Sequence, residues 1–163
     1  FYCKGSNILM TGKKQKELIS YCGLYCGDCF GHEGTIADLA RDLRKELRQY
    51  RFEKTAEFMS TFSFFEVFKN YQQCYDVLGA LVKLRCKNAC RNGGGPPFCK
   101  MRKCCQKKKI DGCWQCEQFE TCKKLDFLKP SHGHAHIKNL RKMNKKGVHA
   151  FLEGKKCWYS KPK

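Results

Sequence analysis

The chain has 163 residues, 33 Lys/Arg against 15 Asp/Glu, a formal net charge of +18 and 14 cysteines. That length suits one domain, or one domain with a metal-stapled lobe, and no apolar run approaches the roughly 20 residues that a membrane-spanning helix needs. Hydrophobic residues amount to 42% only with cysteine counted among them, so disulfides or metals have to supplement a thin core.

Residues 1–20 read as a flexible, Lys-rich lead-in whose only apolar stretch is Ile8-Leu9-Met10, too short for a secretory signal. A reducing, cytoplasmic setting is the expectation, and there clustered cysteines serve as metal ligands rather than disulfides. The first cysteine knot follows, Cys22-x3-Cys26-x2-Cys29, with Gly23 and Gly27 suited to tight turns. Thr35 reads as an N-cap with Asp38 three residues on, a capping-box-like start. Leu39, Leu43 and Leu47 recur every four residues, away from Arg41, Arg44, Lys45 and Arg48. This pattern predicts an amphipathic helix of about four turns. A second helical region runs from about Glu53 to Leu84, with a break near Thr61 to Ser63. Its aromatic stripe (Phe58, Phe62, Phe64, Phe65, Phe68, Tyr71 and Tyr75) reads as core packing, and Cys74 within it as a packed thiol.

The texture changes after Leu84. Residues 85–122 hold eight cysteines and the breaker Gly93-Gly94-Gly95-Pro96-Pro97, a loop-rich segment unable to bury a core unaided. Beyond Pro130, the residues Ile137, Leu140, Val148, Phe151 and Leu152 predict one or two final helices, interrupted near Gly147. No strand pairs are evident. The expected architecture is mainly α with an irregular cysteine-rich, metal-stapled lobe and little or no β. Its parts are a lead-in over 1–20, the first knot plus helices over 21–84, the metal lobe over 85–129 and a basic helix or tail over 130–163, with 21–152 as one compact domain.

Spacing carries the chemistry. After Cys22, Cys26 and Cys29 come Cys86-x3-Cys90, Cys99-x4-Cys104, Cys113-x2-Cys116 and Cys122. A C-x2-C turn sets two sulfurs on one side of a loop, near enough to share a tetrahedral ion, and the longer knuckles do likewise. The plainer account is a set of buried free thiols, but these cysteines sit in glycine- and lysine-rich segments where core residues do not belong. The ten are therefore the expected ligands. They exceed the eight that two four-thiolate sites use, which leaves spare thiols, a histidine-completed third site or bridging thiolates all open. Cys105 is set aside because adjacent residues seldom direct sulfur to one centre, and Cys3 and Cys157 because they lie near the termini. Zinc is the first expectation for the ion, with an iron–sulfur cluster as the alternative. C-x3-C-x2-C is also the spacing of the radical-SAM cluster loop, but those enzymes need repeated strand–helix units that this chain lacks.

The segment Ser20-Tyr21-Cys22-Gly23-Leu24-Tyr25-Cys26-Gly27-Asp28-Cys29 resembles the opening box of the prokaryotic domain-of-unknown-function 3795 family. The later cysteines agree: Cys86 to Cys90, Cys99 to Cys104, Gly112-Cys113-Trp114-Gln115-Cys116 and Cys122-Lys123-Lys124-Leu125. The resemblance covers roughly residues 18–126. It implies metal binding at these ten cysteines, which is all that is presumed of the family. Cys105 and the long helical insert between the two halves depart from its shorter members.

Residues 83–163 carry 22 Lys/Arg against 5 Asp/Glu. Basic tracts at Lys100 to Lys103, Lys107 to Lys109, Lys138 to Lys142 and Lys145-Lys146, with Trp114, Phe119, Trp158 and Tyr159 to stack on bases, suggest nucleic acid or another polyanion as partner. A merely solvated face is the competing account. His132, His134 and His136 invite a metal reading, against which Pro130-Ser131 argues for a solvated helix start; His32 could complete the first knot. No catalytic constellation stands out. The functional expectation is a protein with structural thiolate zinc sites that contacts a polyanion; the rivals are an iron–sulfur redox or sensor protein and an enzyme with an open metal position.

Overall fold

Leu, Ala, Arg, Lys, Glu and Gln dominate the stretch that follows the first knot, and these are strong helix formers. The computed structural model describes residues 12–158. In chain order they form α1 (Gly12–Glu17), α2 (Phe30–Glu33), α3 (Thr35–Gln49), α4 (Phe52–Met59), α5 (Tyr71–Lys83), α6 (Lys100–Lys108), α7 (Lys129–His132) and α8 (Ala135–Glu153), joined by loops and short 3-10 turns. The fold is mainly α. Among the described residues no strand forms, and an isolated antiparallel bridge pairs Ile19 with Tyr25. The chain divides into two compact units. One is Phe30–Lys87; the other joins the described residues up to Cys29 with those from Asn88 onward. The first cysteine knot thus groups with the second half of the chain, not with the helices that follow it.

In the Phe30–Lys87 unit, α3 starts one residue earlier than its sequence suggested. Gly34 is the N-cap at φ 79, a conformation open to glycine, and Thr35 is already helical. Asp38 does not complete a capping box. It pairs instead with Arg85 and with Arg41 at 2.8 Å. The face of α3 that is buried is also not the leucine stripe. Leu39 and Leu43 are 65% and 48% exposed, whereas Ala37 and Ala40 are buried, and α3 packs mainly on α5. Small residues let two helices approach closely, and Arg44 bridges them, bonding the Tyr75 carbonyl with its guanidinium 3.9 Å from the Tyr75 ring centroid.

The aromatic stripe is a core only in part. Phe52 meets Phe68 and Tyr71 at ring separations of 5.8 and 5.7 Å, while Phe58, Phe62 and Phe64 are exposed. Cys74 is exposed as well, so it is not a packed thiol.

The other unit holds a contiguous core. Ile19, Leu24, Met101, Trp114, Phe119, Leu125, Leu140, Met143 and Phe151 pack together around Cys22, Cys105 and Cys113. Residues 12–20 are no loose lead-in. α1 runs into Leu18, Ile19 and Ser20, all buried, and the Cys26 amide donates to the Leu18 carbonyl at 2.7 Å. Residues 1–11, with Cys3, lie outside the described residues. The cysteine-rich segment adds to this core without forming one unaided: α6 forms between Cys99 and Lys109 and buries Met101 and Cys105 in a cluster completed by Ile19, Leu24, Leu140, Met143 and Phe151. Helix α8 bends at Gly147 (φ 81), where the sequence placed an interruption. Gly23, also at positive φ (87), lies so close to the Leu140 side chain and the His136 carbonyl that no Cβ fits there.

The two leucine environments predict opposite outcomes in urea unfolding. Leu140→Ala removes a fully buried side chain and should cost about 3 kcal/mol. Leu39→Ala, on the predicted but exposed face, should stay within about 0.5 kcal/mol of the parent.

Candidate metal centres

The first knot is a tight backbone device. The Ser20 amide donates to the Leu24 carbonyl at 2.9 Å, and the Gly23 amide to the Ser20 carbonyl at 3.1 Å. This loop encloses Cys22, whose Sγ lies 3.1 Å from the Ser20 hydroxyl. The Cys29 amide closes the next turn on the Cys26 carbonyl at 3.1 Å. Cys90 comes to this knot from the later half, its amide donating to Cys26 Sγ at 3.5 Å. Cys99 caps α6, where its sulfur accepts from the Arg102 amide at 3.5 Å. Cys22 senses charge on both Cys90 and Cys99. Burial pushes the Cys22 thiol up to about 12 and raises Cys90 as well. Unaided, such sulfurs stay protonated, and a bound cation reverses that preference.

Two arginines hold these loops where an apolar core is thin. Arg91 donates to the Ile19 carbonyl at 2.8 Å and to the Asp111 carbonyl at 2.6 Å, and its guanidinium lies 4.8 Å from the Tyr21 ring centroid. Arg102 is buried and donates to the carbonyls of Cys90, Gly94 and Pro96 at 3.1, 2.7 and 2.8 Å. Loop carbonyls without strand or helix partners need such donors. Arg102, placed by its sequence in a basic tract, therefore belongs to the interior. Trp114 and Phe119, expected to stack on bases, are buried too. Trp158 is half-buried, its ring 4.9 Å from that of His132, and Tyr159 lies outside the described residues.

The later cysteines form a second group. Cys104 and Cys105 project from α6. Cys113 and Cys116 flank a 3-10 turn, closed by the Cys116 amide on the Cys113 carbonyl at 3.1 Å, and Cys122 follows another. The Cys113 amide donates to the Tyr21 carbonyl at 2.9 Å, tying this group to the first knot. Cys104, Cys105, Cys113, Cys116 and Cys122 all line one cavity of about 120 Å³. Cys105, set aside on sequence grounds, is in its wall, with Sγ 3.7 Å from Cys113 Sγ. Their hydrogen bond lowers the Cys105 thiol and, together with burial, raises that of Cys113. Helical geometry explains the missed residue: successive side chains on α6 diverge by about 100°, yet a cavity is wide enough to receive both.

None of the thirteen described cysteines is in a disulfide. Among the described residues, no three Cys, His, Asp or Glu side chains are grouped as a ready site for one metal ion. Cys86 and His32 belong to the Phe30–Lys87 unit, where the Cys86 amide donates to the Gly31 carbonyl at 2.8 Å. Cys157 pairs through its backbone with the Asn139 side chain at 2.7 and 2.9 Å.

A family model described as "Protein of unknown function (DUF3795)" matches residues 18–127. The chain belongs to this family. No curated protein and no solved structure matches it. The DUF3795 match takes in all ten expected ligands and Cys105, and ends just before α7 and α8. Helix α8 nonetheless supplies Leu140, Met143 and Phe151 to the core on which the DUF3795 cysteine loops rest.

The histidine cluster divides. His134 is exposed, and His132 Nδ1 lies 2.9 Å from the Trp158 carbonyl. His136 is no solvated helix-start residue: it is fully buried, and neither ring nitrogen has a hydrogen-bond partner. Burial draws its pKa down from 6.5 to about 4. The unfolded chain therefore takes up this proton first as pH falls. Stability from the neutral imidazole is complete above about pH 6.5 and is lost as pH drops toward 4, by on the order of 3 kcal/mol. The urea midpoint of the parent should fall relative to that of His136→Leu between pH 7.5 and 4.5. Parallel curves would contradict the assignment, since thiol protonation is common to both proteins.

Proposed function

We propose that this chain is a metal-binding protein whose cysteine thiolates hold two structural centres within one unit. Cys22, Cys26, Cys29, Cys90 and Cys99 supply the sulfur for the first, and zinc is the ion a closed thiolate shell of this kind takes. Cys104, Cys113, Cys116 and Cys122 supply the second, with Cys105 beside them. Cys86 stands apart as the tenth expected ligand. The observation that carries this reading is the concentration of the other nine expected ligands, none of them in a disulfide, in a single compact unit. Buried thiols such as Cys22 and Cys90 ionise against a cation rather than unaided, and coordination then stabilises loops that hydrophobic burial alone holds weakly.

The second half also contacts a polyanion through charge. Lys100, Lys103, Lys107 and Lys109 are exposed on and beside α6, an arrangement suited to phosphate or sulfate groups. With Trp114 and Phe119 in the core, base stacking drops out of this reading, and recognition rests on electrostatics.

Metal analysis of the purified chain tests the first claim. About two thiolate-bound centres per chain are expected, with roughly half the metal lost in a Cys26→Ser/Cys90→Ser variant. A folded protein that stays metal-free under anaerobic purification sinks it. For the second claim, heparin retention should weaken steeply with salt and weaken further in Lys103→Glu/Lys107→Glu. Salt-independent retention argues against it.

A further inference from the structure

We infer that the cavity ringed by Cys104, Cys105, Cys113, Cys116 and Cys122 is built for an iron–sulfur cluster rather than for a single zinc ion. This rests on the metal-binding reading above and narrows it to the class of group bound at one of its two centres.

The first argument is room. Four thiolates about 2.3 Å from one ion form a tetrahedron with edges of about 3.8 Å, sulfur touching sulfur, which leaves space for the ion alone. Here the five cysteines are among the residues that line about 120 Å³, many times the ~10–15 Å³ that lodges a single water, and they are too spread to be grouped around one ion. A cluster of several irons and sulfides fills such a space.

The second argument is the placement of the thiols. A mononuclear tetrahedral site and a common cluster each use four thiolates, so the five cysteines in this lining leave one spare in either case, and placement is what separates the two. Adjacent residues on a helix cannot easily direct sulfur to one ion, which is the difficulty that Cys104 and Cys105 raise for zinc. A polynuclear group removes it, because each cysteine can serve a different iron. Cys105 and Cys113, with sulfurs 3.7 Å apart, already stand at the separation that two thiolates take on one tetrahedral metal. Cys104, Cys116 and Cys122 remain to serve the rest of the cluster.

The third argument is charge at the rim. Lys108 Nζ lies 3.4 Å from Cys116 Sγ, and Lys124 Nζ lies 3.7 Å from Cys104 Sγ. A thiolate-ligated cluster carries net negative charge, and N–H donors to its sulfurs both stabilise it and raise its reduction potential. Met101, Ile110, Phe119 and Leu125 form the apolar part of the remaining wall, beside Gln118 and Thr121.

The test uses the full chain, purified anaerobically and reconstituted with ferrous iron and sulfide, with iron, acid-labile sulfide and zinc measured together. Iron and labile sulfide are expected in comparable amounts, with broad visible absorption. Cys116→Ser/Cys122→Ser should lower both at least five-fold, whereas Cys26→Ser/Cys90→Ser should retain them. Lys108→Gln leaves every sulfur in place and guards against a variant that fails to fold; it should shift the reduction potential to more negative values. Zinc without labile sulfide overturns the inference and leaves the metal-binding reading standing. A cluster that depends on Cys26 and Cys90 but not on Cys116 and Cys122 also overturns it. No metal of any kind sinks both.

Discussion

Cys22 and Cys90 place sulfur where it cannot ionise cheaply by itself. Cys22 is buried in the turn that Ser20, Gly23 and Leu24 close, and burial holds its thiol near 12. Cys90 is raised by the same cause, and five more thiols face a common cavity. A neutral cluster of thiols contributes little beyond its small apolar surface. The proposed cations change that balance, because coordination favours thiolate and joins loops that are distant in sequence. The backbone already prepares for it: the Cys113 amide reaches the Tyr21 carbonyl, and Arg91 links the loops of Ile19 and Asp111.

The interior of that unit is shared between apolar and cationic groups. Phe151, Leu140, Leu125 and Ile19 are almost wholly buried, while Arg102 spends its donors on three loop carbonyls. A guanidinium suits this role because its planar fork satisfies several acceptors at once. Net charge read from sequence therefore overstates the charge available to a partner. Arg102 is interior and Arg141 is paired with Glu120 at 2.6 Å, while the lysines around α6 remain outward.

Much of the helical plan was legible from periodicity and breakers: α3, the break after α4, the helices beyond Pro130 and the bend at Gly147 all follow from local chemistry. Orientation was not. Leu39 and Leu43 form a regular stripe, yet Ala37 and Ala40 are the residues of α3 that are buried, because periodicity names a face without naming its neighbour. The grouping of the first knot with the second half was equally hidden, since contacts over such separations leave no local signal. At the site, spacing singled out ten cysteines and set Cys105 aside, whereas the structure puts Cys105 in the lining of the same cavity as Cys104, Cys113, Cys116 and Cys122. Nothing local to His136 foretold a fully buried imidazole.

The central claim is that metal in this protein is bonded to cysteine sulfur, and X-ray absorption at the edge of whichever metal copurifies reads that bond directly. A first shell of sulfur at about 2.3 Å, close to four per metal, is the predicted result. A shell made only of oxygen or nitrogen at about 2.0–2.2 Å would contradict it.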